Sequence, residues 1–488
     1  MKKILTAAQM KACDEYAIRT LGVPSRTLMQ RAAEACVNAL DGFDTSRTVV
    51  LCGTGNNGGD GMAIADILSK RGDNVTVVLV GDEARCTPEA AFRLERARDL
   101  GIAVVAAGEF DRAALSDATA IVDAIFGIGL SRPVEGDAAA LIEAANESGT
   151  PIIAVDVPSG LFADSGVVPG AAIRAKRTVA IQNLKPCHVL YGAALNCGEV
   201  LVAEIGIPDG VAGSSLFVTT DDDLTAIAER PEYSHKGTFG RVLIVAGSEG
   251  MAGAAYLSAL AAYRTGAGLV EVFTVEANRP IIQTLLPEAI VTTYGESDLD
   301  EKLGAALERA DAVVLGPGLG MSELSRRVVR RTLELATAPL VVDADALNII
   351  ADEGLSLPRR ENIAVTPHLG EMARLTGASV ADIAADLVGA ARAFAERSGV
   401  TCVLKDAHSV IAGKDRAFVN LAGCSAMAKG GSGDVLTGVI AALAATGLDM
   451  VEAARLGCHL HGRAGERAAA ERGVHGVLAR DVVDAIRR

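Results

Sequence analysis

GTGNNGGDG, residues 53–61, follows a strand-like run at 48–52 and precedes a helix-like run at 62–70. A second glycine-rich stretch, KGGSGD at 429–434, stands ahead of a helix-like run at 435–445. Glycine lets the backbone approach a ligand closely, and a following helix adds the positive end of its dipole, so such loops suit phosphate. The sequence therefore predicts two nucleotide-type sites, and two active sites, on one chain.

The bulk composition favours an α/β protein with more than one domain. The chain has 488 residues, a length typical of two to four domains. Half of the residues are hydrophobic, yet there are 10 Phe, 6 Tyr and no Trp, so Ala, Val, Leu and Gly supply the apolar character of buried parallel strands. The net charge of −15 argues against a nucleic acid or an anionic membrane as a partner.

The cysteines and the apolar runs indicate a cytoplasmic protein. Nine cysteines are scattered without CxxC spacing, and their odd number argues against a disulfide framework or a zinc site. The apolar start at residues 1–8 soon meets Gln9, Lys11 and Asp14, so it is too short for a signal peptide. No run reaches the ~18 apolar residues that a membrane span requires.

Strand-like and helix-like runs alternate along the chain, which predicts βαβ units and parallel sheets. The stretch 209–215 is Gly/Ser-rich, and acidic and polar segments follow it up to residue 238. We expect a boundary near residues 210–230, with a first domain over residues 1–212 and a second over 225–488. In order, strands are predicted at 48–52, 75–80, 120–124, 152–155, 241–246, 269–273, 312–315, 340–342, 363–366 and 401–404, and helices at 62–70, 89–100, 253–265 and 435–445.

The first glycine stretch matches the GxGxxG dinucleotide fingerprint, but the acid that this fingerprint needs at the end of the second strand is missing. A structural turn is an equally good reading of this stretch alone. Two later strands also end in polar loops, DAIFGIGL at 123–130 and DVPSG at 156–160. Because carboxyl ends of parallel strands share one edge of a sheet, oxygen donors from the three loops could hold a hard cation. Alternatively, each acid caps the next helix.

Residues 1–210 resemble the NAD(P)H-hydrate epimerase family, through GNNGGDG (55–61), DAIFGIGL and DVPSG. The resemblance implies a Rossmann-like α/β/α sandwich, a potassium ion held by Asn57, Asp123 and Ser159, and Asp156 facing the substrate as the acid/base. The family's usual Met-Glu-x-Ala-Gly stretch is MQRAA at 29–33 here, a departure in the first helices. The implied substrate-binding residues are Asn56, Asn57, Gly58, Gly59, Asp60, Gly127, Ile128, Gly129, Leu130, Ser131, Arg132, Pro133 and Asp156.

The second glycine stretch places Asp434 at the start of a helix, beside the expected phosphate. Phosphoryl transfer depends mostly on positioning and charge stabilisation, so a loop, a base and a cation suffice, and Asp434 is the candidate base. A helix start with Asp434 as an ordinary first-turn acid is the alternative reading. Further glycine-rich or polar segments end other strands of this half, at 246–248, 316–320, 342–345, 366–368 and 405–408.

From about Tyr233 onward the chain resembles the ribokinase-like NAD(P)H-hydrate dehydratase family, through HKG-x-FG (235–240), GPGLG (316–320), TPH-x-GE (366–371) and GGSGDVLTG (430–438). The resemblance implies a ribokinase-like α/β/α domain that uses ADP with Mg²⁺. The implied contacts to the hydrated nicotinamide nucleotide are Ala254, Gly318, His368 and Asp434. The implied nucleotide-binding residues are Lys405, Asp406, Ala407, His408, Ser409, Gly430, Gly431, Ser432 and Gly433.

The two resemblances together predict a repair enzyme for hydrated NADH and NADPH. Phosphorylation of the C6 hydroxyl would convert hydroxide into a good leaving group, and the epimerase would supply the epimer that the dehydratase accepts. The fused order is that of bacterial members, from which we infer ADP, and we expect a homo-oligomer with small-molecule substrates. Two alternatives stay open: a small-molecule kinase joined to a dinucleotide-binding domain, and a non-catalytic ligand-sensing first half.

Overall fold

A computed structural model describes residues 1–208 and 213–487. The chain divides into two compact units, Lys3–Ser214 and Ser215–Arg488, the second of which also includes Met1–Lys2. The predicted domain end at residue 212, and most of the Gly/Ser-rich stretch around it, lie outside the described residues.

The N-terminal unit contains a seven-stranded parallel sheet, which confirms the predicted α/β class. Its strand order is β4-β3-β2-β5-β6-β7-β8, so the two inner strands β2 and β5 are neighbours although two strands separate them along the chain. A short strand, β1 (Lys2–Ile4), precedes this sheet in the chain and is not part of it. The seven strands of the sheet are β2 (Arg47–Gly53), β3 (Asn74–Val80), β4 (Ala103–Ala106), β5 (Ala120–Ala124), β6 (Ile152–Val155), β7 (Arg177–Ile181) and β8 (Glu199–Ala203).

Helices cover both faces of this sheet and form two apolar cores. One core joins side chains of α2, α3 and α4 to one face, and the other joins α6 to the opposite face. The three layers bury the sheet on both sides, which is why its strands are continuously apolar. The helices are α1 (Ala7–Arg19), α2 (Ser25–Asn38), α3 (Asn56–Arg71), α4 (Pro88–Asp99), α5 (Ala114–Asp117), α6 (Gly136–Glu147) and α7 (Pro186–Val189).

The glycine-rich stretch differs from the expectation of a loop, because α3 begins at Asn56 and includes most of it. A Cβ on Gly58 would lie 1.8 Å from the carbonyl oxygen of Gly53, and one on Gly61 would lie 2.5 Å from the Cβ of Ala124. The glycines therefore let the first turns of α3 pack directly on β2 and β5. This close approach brings the amino end of α3 to the edge of the sheet where the predicted site lies.

The C-terminal unit contains a larger mixed sheet. From β9 onward its order is β9-β18-β17-β16-β15-β14-β13-β10-β11-β12, parallel except where β17 pairs with β16 and β18. Its strands are β9 (Leu216–Val218), β10 (Arg241–Val245), β11 (Leu269–Val275), β12 (Ile290–Tyr294), β13 (Ala312–Leu315), β14 (Leu340–Val342), β15 (Ile363–Val365), β16 (Thr401–Leu404), β17 (Val410–Ala412) and β18 (Ala417–Val419).

Two small-residue helices, α8 and α16, pack tightly on each other in this unit. A Cβ on Gly438 would lie 2.1 Å from the carbonyl oxygen of Ser258, so α16 needs glycine at that contact. No helix within the described ranges is long and apolar enough to cross a membrane. The helices are α8 (Ala252–Thr265), α9 (Arg279–Leu285), α10 (Leu299–Leu307), α11 (Glu323–Leu335), α12 (Asp345–Glu353), α13 (Leu369–Thr376), α14 (Val380–Ala385), α15 (Leu387–Ser398), α16 (Ser432–Ala445), α17 (Met450–Arg472) and α18 (Ala479–Asp484).

Candidate active sites

A cavity of about 620 Å³ opens in the N-terminal unit at the carboxyl ends of β2, β5 and β6. Ligands of open α/β sheets bind at this edge. Most of the residues implied for epimerase substrate binding line the cavity, whereas Gly58 and Gly59 lie inside α3 and Pro133 is outside the lining. The lining members of that set are Asn56, Asn57, Asp60, Gly127, Ile128, Gly129, Leu130, Ser131, Arg132 and Asp156.

Asp123 and Ser159 are joined directly at the floor of this edge. The Ser159 backbone N–H donates to Asp123 Oδ2 at 2.8 Å, and its hydroxyl donates to Oδ1 at 2.6 Å. Ser159 Oγ in turn accepts the Phe126 N–H at 2.9 Å, which ties β6 to the loop after β5. Burial raises the pKa of Asp123 to about 6, and the hydrogen bonds from Ser159 oppose that shift.

Asn57 approaches the same turn from α3. Its side chain lies against Gly127, where an added Cβ would be 3.2 Å from Asn57 Cγ. The buried Asn57 Nδ2 has no hydrogen-bond partner among the described residues. Since an amide can be placed with its oxygen in that position, one carboxylate and two neutral oxygens gather here. This low-charge oxygen set fits a monovalent cation better than a divalent one, which gathers more carboxylates.

Asp156 follows β6 in a strained backbone conformation, with φ at +63°, a region that non-glycine residues seldom adopt. Its Oδ1 accepts the Ile181 N–H at 3.0 Å and forms an ion pair with the Lys185 ammonium, whose side chain is 1% exposed. His188 Nδ1 accepts the Lys185 N–H, so its Nε2–H donates to the Asp156 carbonyl at 2.8 Å. The short helix α7 thus holds both the backbone and the carboxylate of Asp156.

Lys185 and Asp14 also line the cavity, and sequence reasoning missed both. Neither lies in a glycine-rich motif, because α1 and α7 reach the cavity only through the tertiary fold. Burial raises the pKa of Asp14 to about 6, and the nearby Asp156 carboxylate adds to the shift. Burial, reinforced by the Lys185 charge, lowers the pKa of His188 to about 4, so this imidazole is neutral.

The second candidate site lies where α16 begins in the C-terminal unit. Asp434 is in the first turn of α16, after Gly431, whose φ of +93° turns the chain into the helix. Burial raises the pKa of Asp434 to about 6, and the Asp343 carboxylate adds to the shift. Lys405 Nζ donates to the buried Asp343 Oδ1 at 2.7 Å. A Cβ on Gly433 would lie 3.5 Å from both Asp343 Oδ2 and Lys405 Nζ, so this ion pair adjoins the glycine turn.

The first residue after β16, Lys405, was predicted only as a nucleotide-binding residue, but in the structure it also forms an ion pair with Asp343. Burial alone would lower the pKa of Lys405, but the carboxylates of Asp343, Glu371 and Asp434 together outweigh it and the pKa is raised. Ser409 closes a turn by donating from Oγ to the Asp406 carbonyl at 3.2 Å. Asp343, at the end of β14, was noted in the sequence as part of a polar strand end but was not among the predicted site residues.

Ala254 and Gly318, both implied for substrate binding, lie together. A Cβ on Gly318, whose φ is +61°, would be 2.9 Å from the Ala254 Cβ. The Gly318 carbonyl accepts hydrogen bonds from the Ser248 N–H and hydroxyl. His368 caps α13, with Nδ1 accepting the Gly370 N–H at 3.0 Å, which leaves the Nε2–H on its exposed side. His368 pairs with Lys405 in a parallel bridge, so it belongs to the same sheet edge.

Comparison with known proteins accounts for both halves. The family model described as NAD(P)H-hydrate dehydratase matches residues 242–488, and the model described as the YjeF-related protein N-terminus matches residues 25–187. The bifunctional NAD(P)H-hydrate repair enzyme of Thermofilum pendens is 38% identical over 98% of this chain and 94% of its own length. The chain belongs to the bifunctional NAD(P)H-hydrate repair enzyme family.

Other members and a solved structure agree with this assignment. The repair enzyme of Escherichia coli strain K12 is 37% identical over 99% of this chain and 93% of its own. A crystal structure of a ribokinase-like superfamily protein from Enterococcus faecalis matches with a TM-score of 0.52 at 29% identity, covering 56% of this chain and 94% of that chain. The C-terminal fold is therefore ribokinase-like, as predicted, and membership of the repair family favours repair over a small-molecule kinase.

Proposed function

We propose that this chain repairs hydrated NADH and NADPH in two reactions at two separate sites. The cavity of the N-terminal unit interconverts the R and S epimers, and the site at the start of α16 dehydrates the S epimer at the expense of ADP, giving AMP and phosphate. The observation that carries the proposal is the similarity of both halves to bifunctional repair enzymes along nearly the whole chain. Asp156 lines the N-terminal cavity and Asp434 lies in the first turn of α16, which supports the roles proposed for them.

For dehydration, Asp434 takes the proton of the substrate's C6 hydroxyl. The oxygen of that hydroxyl attacks the β-phosphorus of ADP, and AMP leaves. The lone pair of the ring nitrogen then expels phosphate from C6, and loss of a proton from C5 restores the double bond. The partly buried Lys405 lies beside Asp434 and would add positive charge where the phosphoryl group passes. Asp343 holds that ammonium in place, so its proposed role is to position Lys405.

The cations of the two sites are proposed on different grounds. Asn57, Asp123 and Ser159 would hold potassium, which would order the loops and offset the substrate diphosphate. Among the described residues no group of three or more His, Cys, Asp or Glu could hold a metal ion. We therefore propose that Mg²⁺ enters with the nucleotide, where it neutralises phosphate charge during transfer. The glycine turn at 430–433 would contact the nucleotide phosphates.

A single assay tests the proposal. The full chain is incubated with a mixture of R- and S-hydrated NADH and with ADP or ATP, while the absorbance of reduced nicotinamide is followed. We expect complete recovery of NADH with release of phosphate, faster with ADP than with ATP. A stable phosphorylated product without NADH would show a kinase instead. Recovery that stops when the S epimer is consumed would show that the N-terminal unit does not epimerise.

A further inference from the structure

The cavity of the N-terminal unit contains a carboxyl group that no protein group binds. Asp14, on the inner side of α1, lines the cavity and makes no hydrogen bond or ion pair with any residue in the described ranges. A carboxyl group that is partly withdrawn from water and left without protein donors is costly to ionise. Such a side chain is available to a ligand in the cavity.

Asp156 lines the same cavity, but its carboxyl group, unlike that of Asp14, is bound by protein donors. Two N–H donors, from Lys185 and Ile181, meet its Oδ1, whereas Oδ2 accepts no hydrogen bond from a described residue. Because Oδ1 is occupied by these two donors, Oδ2 is the atom left to take a proton. Two carboxyl groups in one cavity, one without protein donors and one held beside an ammonium, can serve as a general acid and a general base.

We propose that Asp14, on α1, is the general acid of the epimerase half and that Asp156, after β6, is its general base. The inference rests on the proposed epimerisation of hydrated NAD(P)H and adds to it a second catalytic residue. Inversion at C6 needs such a pair, because the hydroxyl leaves from one face of the ring and returns to the other.

The reaction balances with water alone. Asp14 donates its proton to the C6 hydroxyl, the C–O bond breaks with its electron pair on the departing water, and the ring nitrogen lone pair forms a C6=N1 iminium bond. A water molecule then attacks C6 from the opposite face, the iminium electron pair returns to nitrogen, and Asp156 Oδ2 takes the proton of that water. Proton exchange with solvent restores both acids, so the enzyme and the substrate formula are unchanged.

The charges around Asp14 agree with this assignment. Burial and the Asp156 carboxylate raise the pKa of Asp14, the Lys185 ammonium opposes them, and Lys11 on the same helix also lines the cavity. Its pKa of about 6 leaves a protonated fraction near neutral pH that shrinks as pH rises. Burial raises the pKa of Asp60, the other candidate acid, well above its usual range, which makes it the poorer proton donor.

The test uses the full chain with R-hydrated NADH and without ADP, so that epimerisation is seen alone. Asp14→Asn removes the proposed acid. The matched control is Glu15→Gln, because Glu15 is next to Asp14 in the chain but is exposed and does not line the cavity. We expect Asp14→Asn to lower kcat/KM for epimerisation ~10²–10⁴-fold. Wild-type kcat/KM should fall as pH rises above about 6, because Asp14 has a pKa of about 6, and the variant should not show this fall. Glu15→Gln should keep both the wild-type kcat/KM and its fall with rising pH.

Two further readouts separate catalysis from a structural role. Dehydration of the S epimer with ADP should be unchanged in Asp14→Asn, which shows that the C-terminal unit is intact, and urea unfolding of the variant should match wild type, which shows that the N-terminal unit is folded. In water enriched in oxygen-18, each wild-type inversion should place the heavy isotope at C6. Asp14 is excluded as the acid if its variant epimerises within threefold of wild type, if Asp60→Asn alone removes the fall with rising pH, or if inversion occurs without isotope uptake. A wild-type protein that does not epimerise at all would instead contradict the proposed function.

Discussion

At the scale of single residues, each unit pairs one lysine with an aspartate at its candidate site, the lysine being fully buried in the first unit and partly buried in the second. Lys185 pairs with Asp156 and Lys405 pairs with Asp343. An ammonium withdrawn from water must regain its lost hydration energy from its partner, so each pair is stable only as a pair. The two candidate sites therefore share one feature: a lysine ammonium is held close to the aspartate that is proposed to take up a proton in the reaction.

Replacing Lys185 by Met should abolish epimerisation and destabilise the N-terminal unit by about 3 kcal/mol, because Asp156 loses its ion-pair partner. Urea unfolding measures this loss. Lys176→Met, at an exposed position of the same unit, should change stability by less than about 0.5 kcal/mol. The double variant Lys185→Met with Asp156→Asn should be more stable than Lys185→Met alone, and strict additivity of the two changes would contradict the ion-pair account.

Asp434→Asn should abolish dehydration with little loss of stability, since Asn is tolerated at a helix start. A lost general base costs ~10²–10⁴-fold, so more than about a tenth of wild-type activity would exclude the base assignment. The wild-type rate should rise with pH through about 6 and then level off, because the base acts when ionised. The exposed Asp415→Asn, measured with S-hydrated NADH and ADP, is the control and should match wild type.

At the scale of elements, glycine decides how closely helices approach their neighbours. Gly438→Ala should destabilise the C-terminal unit by about 1–3 kcal/mol, because the new methyl group meets the Ser258 carbonyl. Dehydration should fall as well, since a displaced α16 carries Asp434 with it. In contrast, Gly304→Ala in α10, where an added Cβ meets nothing within 4 Å, should stabilise by about 0.5–1 kcal/mol. Equal effects of the two changes on thermal unfolding would contradict this explanation.

The same elements show how far the sequence predicts the molecule. Apolar runs located most of the inner strands, because a strand buried on both faces must be continuously apolar, but they missed the inner strands β7, β17 and β18. Edge strands such as β4 and β8 were missed, since their half-exposed residues carry a weaker pattern. The amino end of α3 was mistaken for a loop, because its glycines are explained by packing against β2 that only the fold reveals. Lys185 and Asp14 were missed for a similar reason: their neighbours in space are distant in sequence.

At the scale of the whole molecule, the two candidate sites lie in separate units. Each unit has its own sheet and its own apolar cores, and all the lining residues of the epimerase cavity belong to the first unit. The intermediate of the proposed repair, the S epimer, must therefore leave one site before it reaches the other. This arrangement makes the two reactions separable by substitution.

A mixture of two inactive variants should then repair what neither repairs alone. Asp156→Asn should stop epimerisation and spare dehydration, whereas Asp434→Asn should do the reverse. With R-hydrated NADH and ADP, each variant alone should yield NADH no faster than spontaneous epimerisation allows, and an equimolar mixture should restore rapid recovery. If the mixture stays as slow as either variant while the wild type is fast, the S epimer does not pass freely through solution.

The burial of Lys185 has a consequence for chemical damage to the enzyme itself. Acyl phosphates and other electrophiles modify lysines whose amines are accessible and unprotonated. With a side chain 1% exposed, Lys185 is not accessible, whereas the Lys414 side chain is 75% exposed. Peptide mass spectrometry after mild acetylation should find Lys414 acetylated and Lys185 intact, with epimerisation retained. An enzyme that repairs a spontaneously damaged cofactor would thus protect the amine of Lys185 from spontaneous acylation by burying it.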